Sequence, residues 1–223
     1  MELPLSRFYI KLTLFGLIAS SCTKDGKNIT VHGRVLNPVT GEGIANVEIR
    51  LLKETTGSPG TSGGYKAVES VYSDANGSFE LNHTSWFPRL VACYPDENVY
   101  YNLGWAENGT FLDTYFEKVK LGRFTNLDYW AVPYGMLAMQ IENINCEGTT
   151  DEMQFRFKSQ FDDDYQYWSP IYLGCYSNTF NTQQTPMGFL YFETKVIRPS
   201  GTTYVYDTVF ISETGVTTAV IEY

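Results

Sequence analysis

From Asn28 onward, apolar side chains recur at every second position in short runs, and glycine, asparagine or proline cuts each run. Met153-Gln154-Phe155-Arg156-Phe157-Lys158 is the clearest case. Met153, Phe155 and Phe157 share one face, while Gln154, Arg156 and Lys158 share the other. A period of two belongs to a pleated strand with one buried face; a helix needs a period of 3.6. No sustained helical period competes with it. Aromatic residues make up 16% of the chain, including 17 tyrosines, and such side chains suit strands. The sequence therefore predicts an all-β protein.

In the first half, Ile29, Val31 and Val35 alternate, and so do Val47, Ile49 and Leu51. Asn37-Pro38-Val39-Thr40-Gly41-Glu42-Gly43 is turn-rich. After a Gly/Ser loop, Lys66 to Tyr72 reads as a third strand. Ser73-Asp74-Ala75-Asn76-Gly77-Ser78 then makes a tight turn into Phe79-Glu80-Leu81, with Asn76-Gly77 suited to positive backbone φ. Asp74 also resembles the start of a calcium loop. Phe79 and Leu81 stand where further oxygen ligands are required, so a hairpin turn is the better reading. Leu90 to Tyr94, Tyr115 to Leu121 and Leu127 to Val132 complete the set.

Gly33-Arg34-Val35, then Thr40-Gly41-Glu42-Gly43-Ile44-Ala45-Asn46-Val47, then Ser73 to Phe79 resemble the carboxypeptidase regulatory-like domain. The resemblance covers roughly residues 28–100. It implies a transthyretin-like (prealbumin-like) β-sandwich on an exported protein, with structural glycines and no active site. A peptidase would need a zinc-binding catalytic domain, and this chain holds only His32 and His83.

In the second half, Pro133-Tyr134-Gly135 reads as a linker. Leu137, Met139 and Ile141 alternate after it, and Ile171, Leu173 and Cys175 share a parity. Phe189 to Ile197, Thr203 to Ile211 and Gly215 to Tyr223 read as a three-stranded meander. Roughly seven strands suit a second sandwich, immunoglobulin-like in outline. The expected organisation is 1–21 signal peptide, 22–27 tether, 28–132 first sandwich and 133–223 second sandwich.

Arg7 and Lys11 precede a short apolar run, Leu12 to Ala19. A bilayer-spanning helix needs about 20 apolar residues, so this run reads as an export signal. Ala19-Ser20-Ser21-Cys22 resembles the lipobox of bacterial lipoproteins, which implies cleavage before Cys22 and its acylation. The charged residues after Cys22 resemble the surface-export signals of Bacteroidetes lipoproteins. The expected address is thus the outer membrane or cell surface, with the lipid as anchor. Cys93, Cys146 and Cys175 remain in a compartment where disulfides persist. Cys146–Cys175 is the preferred pair, since both lie in the second half near strands; three buried free thiols stay open as the alternative.

The formal net charge is −9, which disfavours nucleic acid as a partner. No nucleophile elbow, phosphate loop, zinc-protease motif or dinucleotide fingerprint occurs. No catalytic residue, metal ligand or cofactor is therefore nominated. Candidate ligand contacts are Tyr100, Tyr101 and Trp105, with Trp130 nearby, and the loop Asp162-Asp163-Asp164 to Trp168. For the aromatics, core packing is the competing reading; for the carboxylates, a solvated acidic loop. These features point to a non-catalytic binding or assembly module in the envelope, with an envelope protein or a glycan as partner. A carbohydrate-binding lipoprotein and, behind it, a hydrolase are the alternatives.

Overall fold

The computed structural model describes residues 26–56 and 63–223. The expected signal peptide, Cys22 and the tether up to Asp25 lie outside them. Every regular element among the described residues is a strand.

The first half supplies β1 (Lys27–Leu36), β2 (Glu48–Thr55), β3 (Gly64–Tyr72), β4 (Ser78–Ser85), β5 (Arg89–Tyr94), β6 (Tyr100–Glu107), β7 (Thr110–Phe111), β8 (Phe116–Val119) and β9 (Phe124–Asn126). Next comes β10 (Asp128–Glu142), the longest strand, with 15 residues. One sheet runs β4-β1-β10-β6-β7, with β9 added to β1; the facing sheet runs β3-β2-β5-β8. The alternating residues meet between them: Ile29, Val31, Val35, Ile49 and Leu51 all have no exposed surface. The turn after β3 works as expected. The Asp74 carboxylate accepts the amides of Asn76 and Ser78 at 2.8 Å each, so its oxygen serves the backbone. Gly77 there has φ of 77°, and a Cβ on it would lie 2.2 Å from the Val35 carbonyl oxygen.

The second half supplies β11 (Glu152–Ser159), β12 (Tyr172–Leu173), β13 (Ser177–Thr179), β14 (Gln183–Pro186), β15 (Gly188–Arg198), β16 (Gly201–Ile211) and β17 (Val216–Glu222). The sheet β12-β11-β15-β16 packs on the second half of β10, which pairs with β13, β14 and β17. Leu137, Met153, Leu190, Phe192, Ile211 and Ile221 form this second core.

Two expectations need correction. Pro133-Tyr134-Gly135 is not a linker but the middle of β10, which belongs to both sandwiches. Pairing with β6 ends at Pro133↔Tyr100, and pairing with β14 begins at Tyr134↔Pro186. The proline sits at this change of partners, where its missing N–H costs no established ladder bond. Second, the last three strands are not a meander. β15 and β16 form a hairpin, but β17 crosses over and runs parallel to β10, from Met136↔Val216 to Glu142↔Glu222. That placement buries Ala219 and Ile221 against Leu137 and Ile141. Ile171, Leu173 and Cys175 share a parity as expected, and that face is turned to solvent. Tyr172 and Tyr176 take the inward positions and pack on the second core with Phe180.

Candidate functional site

Hydrogen bonds to β11 and β15 hold the acidic loop that follows β11. Ser159 closes a turn with Asp162: the Asp162 amide donates to the Ser159 carbonyl at 3.0 Å, and the Asp162 carboxylate accepts the Ser159 amide at 3.1 Å. Gln160 anchors the loop to β15 through the Phe189 backbone, at 2.8 and 2.9 Å. The returning leg follows β11, with the Gln166 amide on the Phe157 carbonyl and the Ser169 amide on the Phe155 carbonyl. This path lays Tyr165 and Trp168 over the outward face of the sheet.

Arg156 waits there. Its guanidinium carbon lies 4.5 Å from the Trp168 ring centre and 4.9 Å from that of Tyr165. The same group pairs with Glu193 at 2.6 Å. A planar cation can stack on rings and hold a carboxylate together, as an ammonium cannot. Tyr206 of β16, opposite Glu193 in the register, brings its hydroxyl within 3.5 Å of that carboxylate. The Glu193 charge, with some burial, raises the Tyr206 phenol above its ordinary value. Lys158 donates to the Asp163 carbonyl at 3.0 Å. The result is a half-exposed aromatic platform around a guanidinium–carboxylate pair.

A second aromatic surface lies on the first sandwich. Tyr94, Tyr100, Tyr101, Tyr115 and Tyr134 line a groove of about 530 Å³, with Glu97 as its one lining carboxylate. Burial raises the phenols of Tyr100 and Tyr101. On Tyr101 the charge of Asp162 adds to the effect.

The structure sorts the candidate residues. Tyr100 and Tyr101 line the groove, Trp168 belongs to the platform, and Asp162 closes the turn with Ser159. Asp163 and Asp164 are exposed, and among the described residues no cluster of three or more His, Cys, Asp or Glu can hold a metal. Trp105 is not a ligand contact. It has no exposed surface, its Nε1 donates to the Tyr115 carbonyl at 3.1 Å, and Tyr129 meets it edge-on at 5.0 Å. Core packing claims it because its position on β6 faces the opposite sheet. Trp130 is half-buried and stacks on Phe111 at 6.0 Å. Sequence reasoning missed Glu193, Tyr206, Tyr134 and Tyr115; outward parity on β15 and β16 was the available signal for the first two. Cys146 and Cys175 are linked by a disulfide, with Cα atoms 5.3 Å apart.

Little here suits covalent chemistry. Cys93 is a buried free thiol whose pKa burial drives up, which disfavours the reactive thiolate. His32 lies against Phe124 at 4.0 Å, and His83 lies 3.7 Å from Glu69. Neither belongs to the groove or the platform.

No family model matches the chain, and no curated protein matches it. Among solved structures, it is similar to a streptococcal ancillary pilin (12% identity, 88% of this chain and 62% of that one, TM-score 0.33). It is also similar to a DUF3823 family protein from Bacteroides uniformis (14% identity, 83% and 100%, TM-score 0.31). A third is GBS52, a minor pilin of Streptococcus agalactiae (10% identity, 88% and 94%, TM-score 0.34). The chain spans less than two thirds of the length of the first of these. Likeness at this level leaves the functional reading to the residues themselves.

Proposed function

We propose that this chain is a cell-envelope lipoprotein, tethered through Cys22 to the outer membrane or cell surface, whose sandwiches recognise a partner and do not transform it. One observation carries the non-catalytic part. The tyrosine groove on the first sandwich has a single lining carboxylate, Glu97, so its lining offers no acid–base pair. The anchor rests on the sequence from Arg7 to Cys22. The Cys146–Cys175 disulfide accords with an oxidising compartment outside the inner membrane. The positions of Gly43, Gly77 and Asp74 around the β3–β4 turn support membership of the first sandwich in the carboxypeptidase regulatory-like family. The test is metabolic labelling of the full chain with an alkyne fatty acid in a Gram-negative host, followed by mass spectrometry of the mature N-terminus. Acylation at Cys22 that disappears in Cys22→Ala is expected. A mature N-terminus without acyl chains overturns the anchor.

A second reading has its own observation. The platform of Tyr165, Trp168 and Tyr206 around Arg156 and Glu193 offers ring faces beside polar groups, which is what a sugar needs. A glycan array probed with the chain and with Trp168→Ala tests it. Binding lost in the variant supports carbohydrate recognition, and an unbound array removes it.

A further inference from the structure

β16 and β17 are the outer strands of the two sheets on one side of the second sandwich, joined by the turn at Ser212–Gly215. Other sheet edges in the described residues are blunted. β3 carries a register break opposite Leu51/Leu52 and the charges of Lys66 and Glu69. β4 carries Glu80 and His83, β8 has four residues, and β7 and β12 have two each. β16 is longer and more regular than these. It pairs with β15 over eleven residues without a break, from Gly188↔Ile211 to Arg198↔Gly201. It holds no proline and no lysine, and Asp207 is its one charge. Tyr204, Val205 and Tyr206 are 49%, 42% and 67% exposed. A long, regular, apolar edge with free backbone groups is a template for another strand.

The space beside that edge is open too. A groove of about 300 Å³ separates β16 from β17. Phe192, Val205, Ala219 and Ile221 line it, and its charged lining residues are Asp207 and Glu222, both carboxylates. An added strand lies about 4.8 Å from β16, and its side chains alternate in direction. Every second one would enter the groove, where Asp207, well inside β16 and opposite Phe192, and Glu222 stand among the apolar residues.

We propose that the β16–β17 edge takes up an extended segment of an envelope protein by strand addition, with apolar residues at alternate positions and one lysine or arginine among them, facing Asp207 and Glu222. The backbone ladder supplies the register and the groove supplies the side-chain preference. A second copy of this chain suits the edge less well, because each copy carries a net charge of −9 and presents the same Asp207. The inference rests on the reading that the chain recognises a partner. It does not depend on Cys22 acylation, so the two stand or fall in separate experiments.

The test uses fluorescence anisotropy of the full chain with a labelled nonapeptide of alternating valine and threonine and a lysine at its central position. Saturable binding is expected. A central glutamate or a central proline should each weaken it by about tenfold or more, since one reverses the charge and the other breaks the ladder. Val205→Glu should abolish binding, and Asp207→Lys should shift preference toward the glutamate peptide. That swap cannot come from simple unfolding. Absent binding of the lysine peptide, or equal binding of all three, overturns the proposal. So does sedimentation showing a dimer that Val205→Glu dissociates, which would assign the edge to a second copy.

Discussion

Arg156 and Glu193 meet at 2.6 Å across the β11–β15 register, and the same guanidinium supports the rings of Trp168 and Tyr165. The Glu193 side chain is only 8% exposed, whereas that of Arg156 is 32% exposed. Removing the arginine therefore strands a carboxylate with little water around it. Arg156→Ala is expected to destabilise the chain by about 1–3 kcal/mol in urea denaturation. Trp168 should lose its cover, and the tryptophan emission should move to longer wavelength. Arg156→Lys should recover part of the stability and little of the spectral change, because an ammonium neither forks nor stacks. Equal behaviour of the two variants would show that charge alone organises the loop.

Gly135 lies at the centre of β10 with its Cα turned toward the second sandwich. A Cβ there would stand 2.0 Å from the Ser212 carbonyl oxygen and 2.7 Å from Ile211 Cγ2. Both neighbours sit where β16 gives way to the crossover turn. The backbone would have to shift, so Gly135→Ala should cost about 3 kcal/mol. Gly109, in the turn between β6 and β7, has nothing within 4 Å of such an atom. Its alanine variant isolates the separate cost of positive φ, 76° there, and should be the milder of the two in thermal melts.

Gly135 also shows where reading the sequence stopped. Alternation in Ile29, Val31 and Val35, or in Met153 and Phe155, names a strand and its inner face, because the period is local. The Asp74 turn was legible for the same reason. Partner choice is not local. Pro133 and Gly135 look like a break, yet they mark the point where one strand changes neighbours. β17 follows β16 in sequence but pairs with β10, a choice made by the apolar faces of Ala219 and Ile221. At the candidate site, Asp162 to Trp168 stood out by composition. Arg156 and Glu193 did not, since nothing in the sequence says that residues 37 apart share a register position.

The Cys146–Cys175 bridge closes a separation of 29 residues that contains β11 and β12. Constraining an unfolded loop of that size is worth about 3–4 kcal/mol in the chain-entropy view. The Cys146→Ser, Cys175→Ser double variant should therefore melt well below the parent. A reductant should lower the parent's midpoint and leave the variant's unchanged. Parent and variant responding alike to reductant would show that the bridge contributes nothing.

Asp151 begins the segment that leads into β11, and its side chain has no exposed surface. The Glu147 amide donates to its carboxylate at 2.9 Å and Asn143 Nδ2 at 3.2 Å, while Arg198 Nε lies 3.5 Å away. The Glu147 amide chiefly, then Asn143 and Arg198, hold this carboxyl below its ordinary value against the opposing pull of burial. A carboxyl with a lowered folded pKa binds fewer protons folded than unfolded. Its stabilisation is therefore complete above the unfolded value, about 3.9 for an ordinary aspartate. It fades as the pH falls from there through the folded value. Urea midpoints between neutral pH and pH 3 should thus decline more steeply in the parent than in Asp151→Asn, which carries no titrating group at this position. The variant should start lower at neutral pH, since its amide cannot pair with Arg198, and the two curves should converge in acid. Curves that stay parallel down to pH 3 would place the acid sensitivity elsewhere in the chain.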